Sequence, residues 1–202
     1  DHILPRLQVL EYTRAFLLGR MAWSHLDGLM LISGAMGMFD RETVLKAGGY
    51  SVKTVGEDME LVLRMRRYMA ENDTKYEVTY IPDPLCWTEV PSDLKSMRKQ
   101  RTRWTRGLIE SLWTHRRMMG NRKYGRLGLL GYPYWFLFEW ASPLIAFAGM
   151  VYTVYLAITS TLNLPFFLLL FLFVYSFAVS LSVWAVLFEE ITFHKYTRKR
   201  DV

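Results

Sequence analysis

Apolar and polar positions divide the chain into two kinds of pattern. Up to about residue 126, apolar residues recur at helical or alternating spacing among frequent charges, as in a water-exposed domain. From Leu127 onward the charges stop, and between Arg126 and Glu189 the only formally charged side chain is Glu139. Two segments there, about 129–158 and 164–188, reach the roughly 20 residues needed to cross a hydrocarbon core. Asn163 and Pro165 mark a short turn between them. The pattern predicts a transmembrane helical hairpin. Buried helices of a soluble protein fit less well, because the runs are long and apolar on all sides. Tyr132, Tyr134 and Trp135 stand where an interfacial aromatic belt is expected. Glu139 lies about one-third into the first span, where an ionised carboxylate costs about 2.5–3.5 kcal/mol. It is expected to face protein or water, or to be protonated.

Upstream, Val9 to Leu26 carries apolar residues on a helical period with Arg14 and Arg20 on other faces, which predicts an amphipathic helix. Met30 to Phe39 is short, apolar and glycine-bearing, and reads as a buried strand. Asp40 is placed to cap a helix over Arg41–Ala47 that Gly48-Gly49 ends. Met59 to Ala70 forms the next helix, with Leu61, Met65 and Tyr68 on one face. Tyr76 to Ile81 alternates as a strand that Pro82 and Pro84 stop, and Ser92 is placed to cap a helix running towards Met119. Helices mixed with strands ahead of the hairpin predict an α/β fold class.

Charge sharpens this division. The formal net charge of +6 conceals a stretch, Lys95 to Arg126, in which eleven Lys or Arg face Glu110 alone. A second basic cluster, His194 to Val202, follows the last apolar run. Basic residues on both flanks of a hairpin place both flanks in the cytoplasm, against anionic headgroups. Nucleic acid is the competing partner for so basic a chain, and it is set aside because its binding face is not normally spliced onto spanning helices. Cys86, the single cysteine, excludes an internal disulfide and a multi-cysteine zinc site, and a buried, inert thiol is expected. Residues 1–5 read as neither a basic leader nor an apolar run, and no initiator Met opens the chain, so an excised or truncated piece is expected.

Two short motifs could carry chemistry. Glu57 and Asp58 follow Thr54-Val55-Gly56 at the start of a predicted helix. Acids there complement free amides and the helix dipole whatever else they do; a carboxylate held rigidly beside a glycine can also take a proton from a substrate. Gln100, Arg103 and Trp104 share one face of the later helix. A guanidinium fork suits a diphosphate, and an indole suits a sugar ring or a membrane edge. The same helix also reads as an amphipathic surface lying on a bilayer, with Leu94, Met97, Trp104, Leu108 and Leu112 as its apolar stripe.

Taken in order, Gly56-Glu57-Asp58 and Gln100-x-x-Arg103-Trp104 resemble the membrane-embedded family 2 glycosyltransferases, the group that contains cellulose, chitin, hyaluronan and poly-N-acetylglucosamine synthases. The resemblance covers nearly the whole chain and implies the C-terminal half of a catalytic domain plus membrane helices. It implies an α/β, partial GT-A-type domain followed by the hairpin. The corresponding boundaries are 1–91 for the catalytic part, 92–126 for a basic interface helix region, and 127–202 for two spans and a cytoplasmic tail. In the family, the acidic turn supplies the catalytic base and the Gln-x-x-Arg-Trp helix closes the site. That assigns Asp58 as base with Glu57 as its orienting neighbour, and Gln100, Arg103 and Trp104 as substrate-binding residues. Ser33 and Gly34 fall where the family has a small-residue acceptor-side segment, and Pro82 to Pro91 resembles its connection into the helix.

The sequence departs from the family in one respect: no Asp-x-Asp metal motif occurs, Asp58-Met59-Glu60 being the nearest pattern. A divalent metal, Mg or Mn, is therefore expected to draw its ligands mostly from outside this chain, and a piece lacking that half is expected to be inactive alone. The implied reaction is inverting transfer from a nucleotide-diphosphate sugar to a glycan or lipid acceptor at the cytoplasmic face of the cell membrane. Processive polysaccharide synthesis is one form of it and single glycosylation of a lipid another. A rival of a different class is a non-enzymatic, basic, membrane-anchored scaffold.

Overall fold

The computed structural model describes residues 3–32, 34–83, 86 and 88–193, and among these every regular element is a helix. The expected α/β fold is thereby overturned, and with it a GT-A sheet. Of the two predicted strands, Met30 to Phe39 and Tyr76 to Ile81, the described residues form a turn, a single isolated bridge at Met36 and otherwise irregular chain. The physical reason is pairing. A strand exists only when its backbone groups bond a neighbouring strand, and the Tyr80 N–H instead donates to the Ser24 hydroxyl at 2.9 Å.

The helices, in order, are α1 (Ile3–Tyr12), α2 (Arg20–His25), α3 (Arg41–Lys46), α4 (Glu57–Glu71), α5 (Leu94–Thr114), α6 (Tyr132–Tyr134), α7 (Ser142–Ile158) and α8 (Leu164–Phe193). Wider π-helical turns over Thr13–Gly19, Leu127–Gly131 and Trp135–Trp140 join some of them. Local chemistry explains most boundaries. Asp40 caps α3 by accepting the Thr43 N–H at 2.8 Å, and Gly48 and Gly49, both at positive φ, end it. The cap of α5 is Asp93, which accepts the Ser96 N–H at 2.9 Å, and not the Ser92 that the sequence had offered. That helix also stops earlier than expected, at Thr114, where the chain turns at His115.

The chain forms two compact units. The first holds residues 1–5 and 20–140. Its core is Met30, Met59, Leu63, Leu112, Met118, Tyr124, Leu127 and Tyr132. Tyr132 and Trp135 thus belong to this core rather than to an interfacial belt: Tyr132 is 1% exposed, its hydroxyl donating to the Leu112 carbonyl, and Trp135 packs alongside. The beginning of the first apolar run is apolar because it packs against α4 and α5, which hydropathy alone cannot distinguish from a lipid-facing run.

Two buried ionic groups fix α4. Arg66, 1% exposed, donates to the Leu29 and Asp27 carbonyls at 2.7 and 2.8 Å and pairs with the Asp27 carboxylate. Glu60 pairs with Arg64 at 2.7 Å and meets His115 Nε2 at 3.1 Å, which ties α4 to the end of α5. Cys86, expected to be buried, is exposed.

The second unit holds residues 6–19 and 141–202. Within it, α8 packs against Thr13–Gly19, and Thr13 donates to Glu189 at 3.2 Å. At 30 residues α8 is about 45 Å long. Its stretch Leu164–Thr192 is long and apolar enough to cross a membrane, and Asn163 caps it by accepting the Phe166 N–H at 3.1 Å. The predicted first span is interrupted at Ala141, ahead of Pro143, and passes the same length and composition test only if Leu127–Trp140 and Ser142–Ile158 count together. The basic tail, 194–202, lies outside the described residues.

Candidate active site

The Glu57-Asp58 pair opens α4, whose N-cap, Gly56, offers no side chain to the free amides. Acidic residues take that role in the first turn. Glu57 points to solvent and Asp58 is half-buried, its Oδ1 accepting the Met59 N–H at 2.8 Å. The other oxygen faces Gly34: a Cβ on Gly34 would stand 2.8 Å from Asp58 Oδ2. Both residues were marked in the sequence, and the fold puts them in contact. Ser33, marked beside Gly34, lies outside the described residues.

Arg20, at the start of α2, is 8% exposed and lies within electrostatic range of Asp58. Burial pushes its guanidinium below the ordinary value, and the Tyr80 phenol and the Asp58 carboxylate offset part of that loss. Helical periodicity could not reveal this, since it places Arg20 on the polar face of an amphipathic helix.

The acidic turn is fastened to α5 in two ways. Gly56 and Gly107 touch backbone to backbone, each placed so that a Cβ would come within 2.8 Å of the other's Cα. Glu110 then spans the contact, accepting the Val55 N–H at 3.1 Å on Oε2 and Arg106 Nε at 2.7 Å on Oε1. The Thr54 side chain also bonds Glu110, and the Thr54 hydroxyl accepts the Gly56 N–H at 3.1 Å. Arg106, Thr54 and Val55 together hold the Glu110 carboxyl below the usual carboxylate range. Gly107 and Glu110 both escaped the sequence reading, although each carried a signal: a glycine inside a helix, and the lone acid of a basic stretch.

On α5 itself, Arg103 lines an open groove of 440 Å³ with Val55, Lys95, Arg98, Lys99, Thr102 and Arg106. Five cationic side chains therefore surround the groove, and their summed charge attracts anions. Gln100 is half-buried on the neighbouring row, and Trp104, 40% exposed, lies under Arg101 with the guanidinium 4.9 Å from its ring. Among the described residues no three His, Cys, Asp or Glu side chains group as a metal site. Glu60, the second acid of Asp58-Met59-Glu60, is turned into the protein towards Arg64 and His115.

A sequence model of the family described as "Glycosyl transferase family group 2" matches residues 1–186. The chain belongs to that family. Among its curated relatives is a poly-beta-1,6-N-acetyl-D-glucosamine synthase of Staphylococcus epidermidis, 26% identical over 116 residues, which are 55% of this chain and 27% of that protein. The synthase of the same name from Staphylococcus aureus (strain COL) is 27% identical over 110 residues, 54% of this chain and 25% of that one. A probable glucomannan 4-beta-mannosyltransferase 6 from Oryza sativa subsp. japonica is 30% identical over 107 residues, 53% of this chain and 18% of that protein. This family 2 chain thus spans about a quarter or less of the length of the relatives it matches. No solved structure matches it.

Proposed function

We propose that this chain carries the base and the phosphate-binding helix of an inverting, membrane-anchored glycosyltransferase that builds a polysaccharide from a nucleotide-diphosphate sugar. The observation that carries this reading is the fastening of the Asp58 turn to the cationic helix through Gly56, Gly107 and Glu110. One joint sets a carboxylate beside a cationic groove, the pairing of groups that a displacement reaction needs.

In this reading Asp58 takes the proton of the acceptor hydroxyl as that oxygen attacks the anomeric carbon. The bond to the diphosphate breaks on the opposite face, and configuration inverts. Arg103 and its neighbouring cations meet the charge that builds on the leaving diphosphate. Gly34 leaves room beside the carboxylate for the acceptor, and Trp104 offers a sugar-sized apolar face. Glu57, exposed, orients its neighbour. The described residues assemble no donor set for a divalent ion, and a metal would take its ligands from elsewhere. The names of the relatives favour a glycan acceptor and polymer synthesis over a single transfer to lipid. The apolar α8 and the basic flanks favour anchorage with the site at the cytoplasmic face.

Asp58→Asn in the full-length enzyme tests the base. Transfer is expected to be abolished while nucleotide-sugar binding persists, with product measured across a panel of nucleotide sugars. Near-normal turnover would remove Asp58 from that role.

A further inference from the structure

Glu110 stands where the groove and the acidic turn meet. It is the single acid among the eleven Lys and Arg of the 95–126 stretch, and both of its oxygens are committed. One holds Arg106, whose side chain lines the groove; the other holds the Val55 amide, three residues before Asp58. Val55 lines the groove too, so an anion lodged there lies against both partners of this carboxylate. Because the bond to Glu110 takes Arg106 Nε, the two terminal nitrogens of the fork are the ones that meet the anion. The Glu110 side chain is 27% exposed and Arg106 66%, so the arginine can follow an anion while the carboxylate stays against the turn.

We propose that Glu110 is a positioning residue that couples diphosphate binding in the groove to the placement of the Asp58 turn. This rests on the transferase reading above. An anion bound to Arg106 fixes the arginine, the arginine fixes Glu110, and Glu110 fixes Val55 and Thr54. The turn carrying the carboxylate is then held still when the donor is in place and is looser without it. A simple structural staple would hold the turn equally with the groove empty or full.

The test uses the purified full-length enzyme in lipid discs, wild type beside Glu110→Gln, with uridine diphosphate as the probe. The glutamine keeps the shape but cannot accept both bonds as an anion. In the wild type, uridine diphosphate is expected to slow amide hydrogen exchange over residues 53–59; in Glu110→Gln that protection is lost although the probe still binds. Turnover of the donor identified by the panel is expected to fall about 10²-fold with its KM changed less than about threefold, since a misplacement of about 1 Å costs on that order. Should Glu110→Gln fail to fold, Thr54→Val removes one of the same bonds from the turn without touching a groove cation, and the same loss of protection is expected. Equal protection in wild type and variant, or none in the wild type, overturns the coupling. Asp58→Asn run in parallel separates the two ideas. If Asp58→Asn stays active while the exchange difference persists, the base role fails and the coupling stands; if Asp58→Asn is dead and Glu110→Gln matches wild type, the coupling fails alone.

Discussion

Gly34 lies so close to Asp58 that a single added methyl would stand 2.8 Å from the carboxylate oxygen Oδ2. Any side chain at this position requires the carboxylate to shift, and that carboxylate is the one proposed to take the proton. Gly34→Ala is therefore expected to push Asp58 aside. Turnover of the full-length enzyme should drop by at least about tenfold with nucleotide affinity retained, because the displaced group acts only at the acceptor. Equal turnover in a well-folded Gly34→Ala enzyme would show that Asp58 works, if at all, from another position.

The Gly56–Gly107 contact sets two effects against each other. In an exposed helix, replacing glycine by alanine stabilises by about 1 kcal/mol. At Gly107 the new Cβ would sit 2.7 Å from the Gly56 Cα and 2.9 Å from its nitrogen, atoms that cannot swing away. Overpacking of this kind costs about 1–3 kcal/mol, so Gly107→Ala is expected to lower the thermal midpoint. Gly149→Ala, where the added Cβ meets nothing within 4 Å, is the control and is expected to be neutral or mildly stabilising.

Glu60 gives the first unit a predictable response to acid. Burial by itself would raise its pKa, but the bonds from His115 and Arg64 outweigh burial and hold it below the usual value. A depressed carboxyl contributes stability above its unfolded pKa, and that contribution is lost as pH falls through the lower, folded one. Glu60→Gln should thus destabilise at pH 7, by about 1–3 kcal/mol given the buried His115 and half-buried Arg64 left behind. The gap to wild type should close as pH drops below about 4. Thermal midpoints of both proteins across pH 3–7 measure it, and a gap that widens towards acid would contradict the ion-pair account.

The sequence was most legible where a residue's role is set by its immediate neighbours. Asp40 and Gly48-Gly49 delimit α3 as read, and the uncharged run beginning at Leu164 is one long helix. It was least legible where partners decide. Alternation in Tyr76 to Ile81 signals a strand only if another strand lies beside it, and the Tyr80 amide found Ser24 instead. Tyr132 and Trp135 have the composition of a membrane interface and the position of core residues. The site shows the same division. Asp58, Gly34 and Arg103 were singled out by type and spacing, whereas Glu110, Gly107 and Arg20 matter through interactions across 55, 51 and 38 positions of chain, to Val55, Gly56 and Asp58 respectively, that no local pattern encodes.

The bare backbone contact between Gly56 and Gly107 also bears on how such enzymes can be recombined. Two backbones that meet without side chains have little slack to absorb a foreign neighbour, so the acidic turn and the cationic helix are expected to exchange only as one part. A chimera that imports α5 from a relative will need that relative's residues 54–58 as well, even though 35 residues of chain separate Asp58 from the first residue of α5.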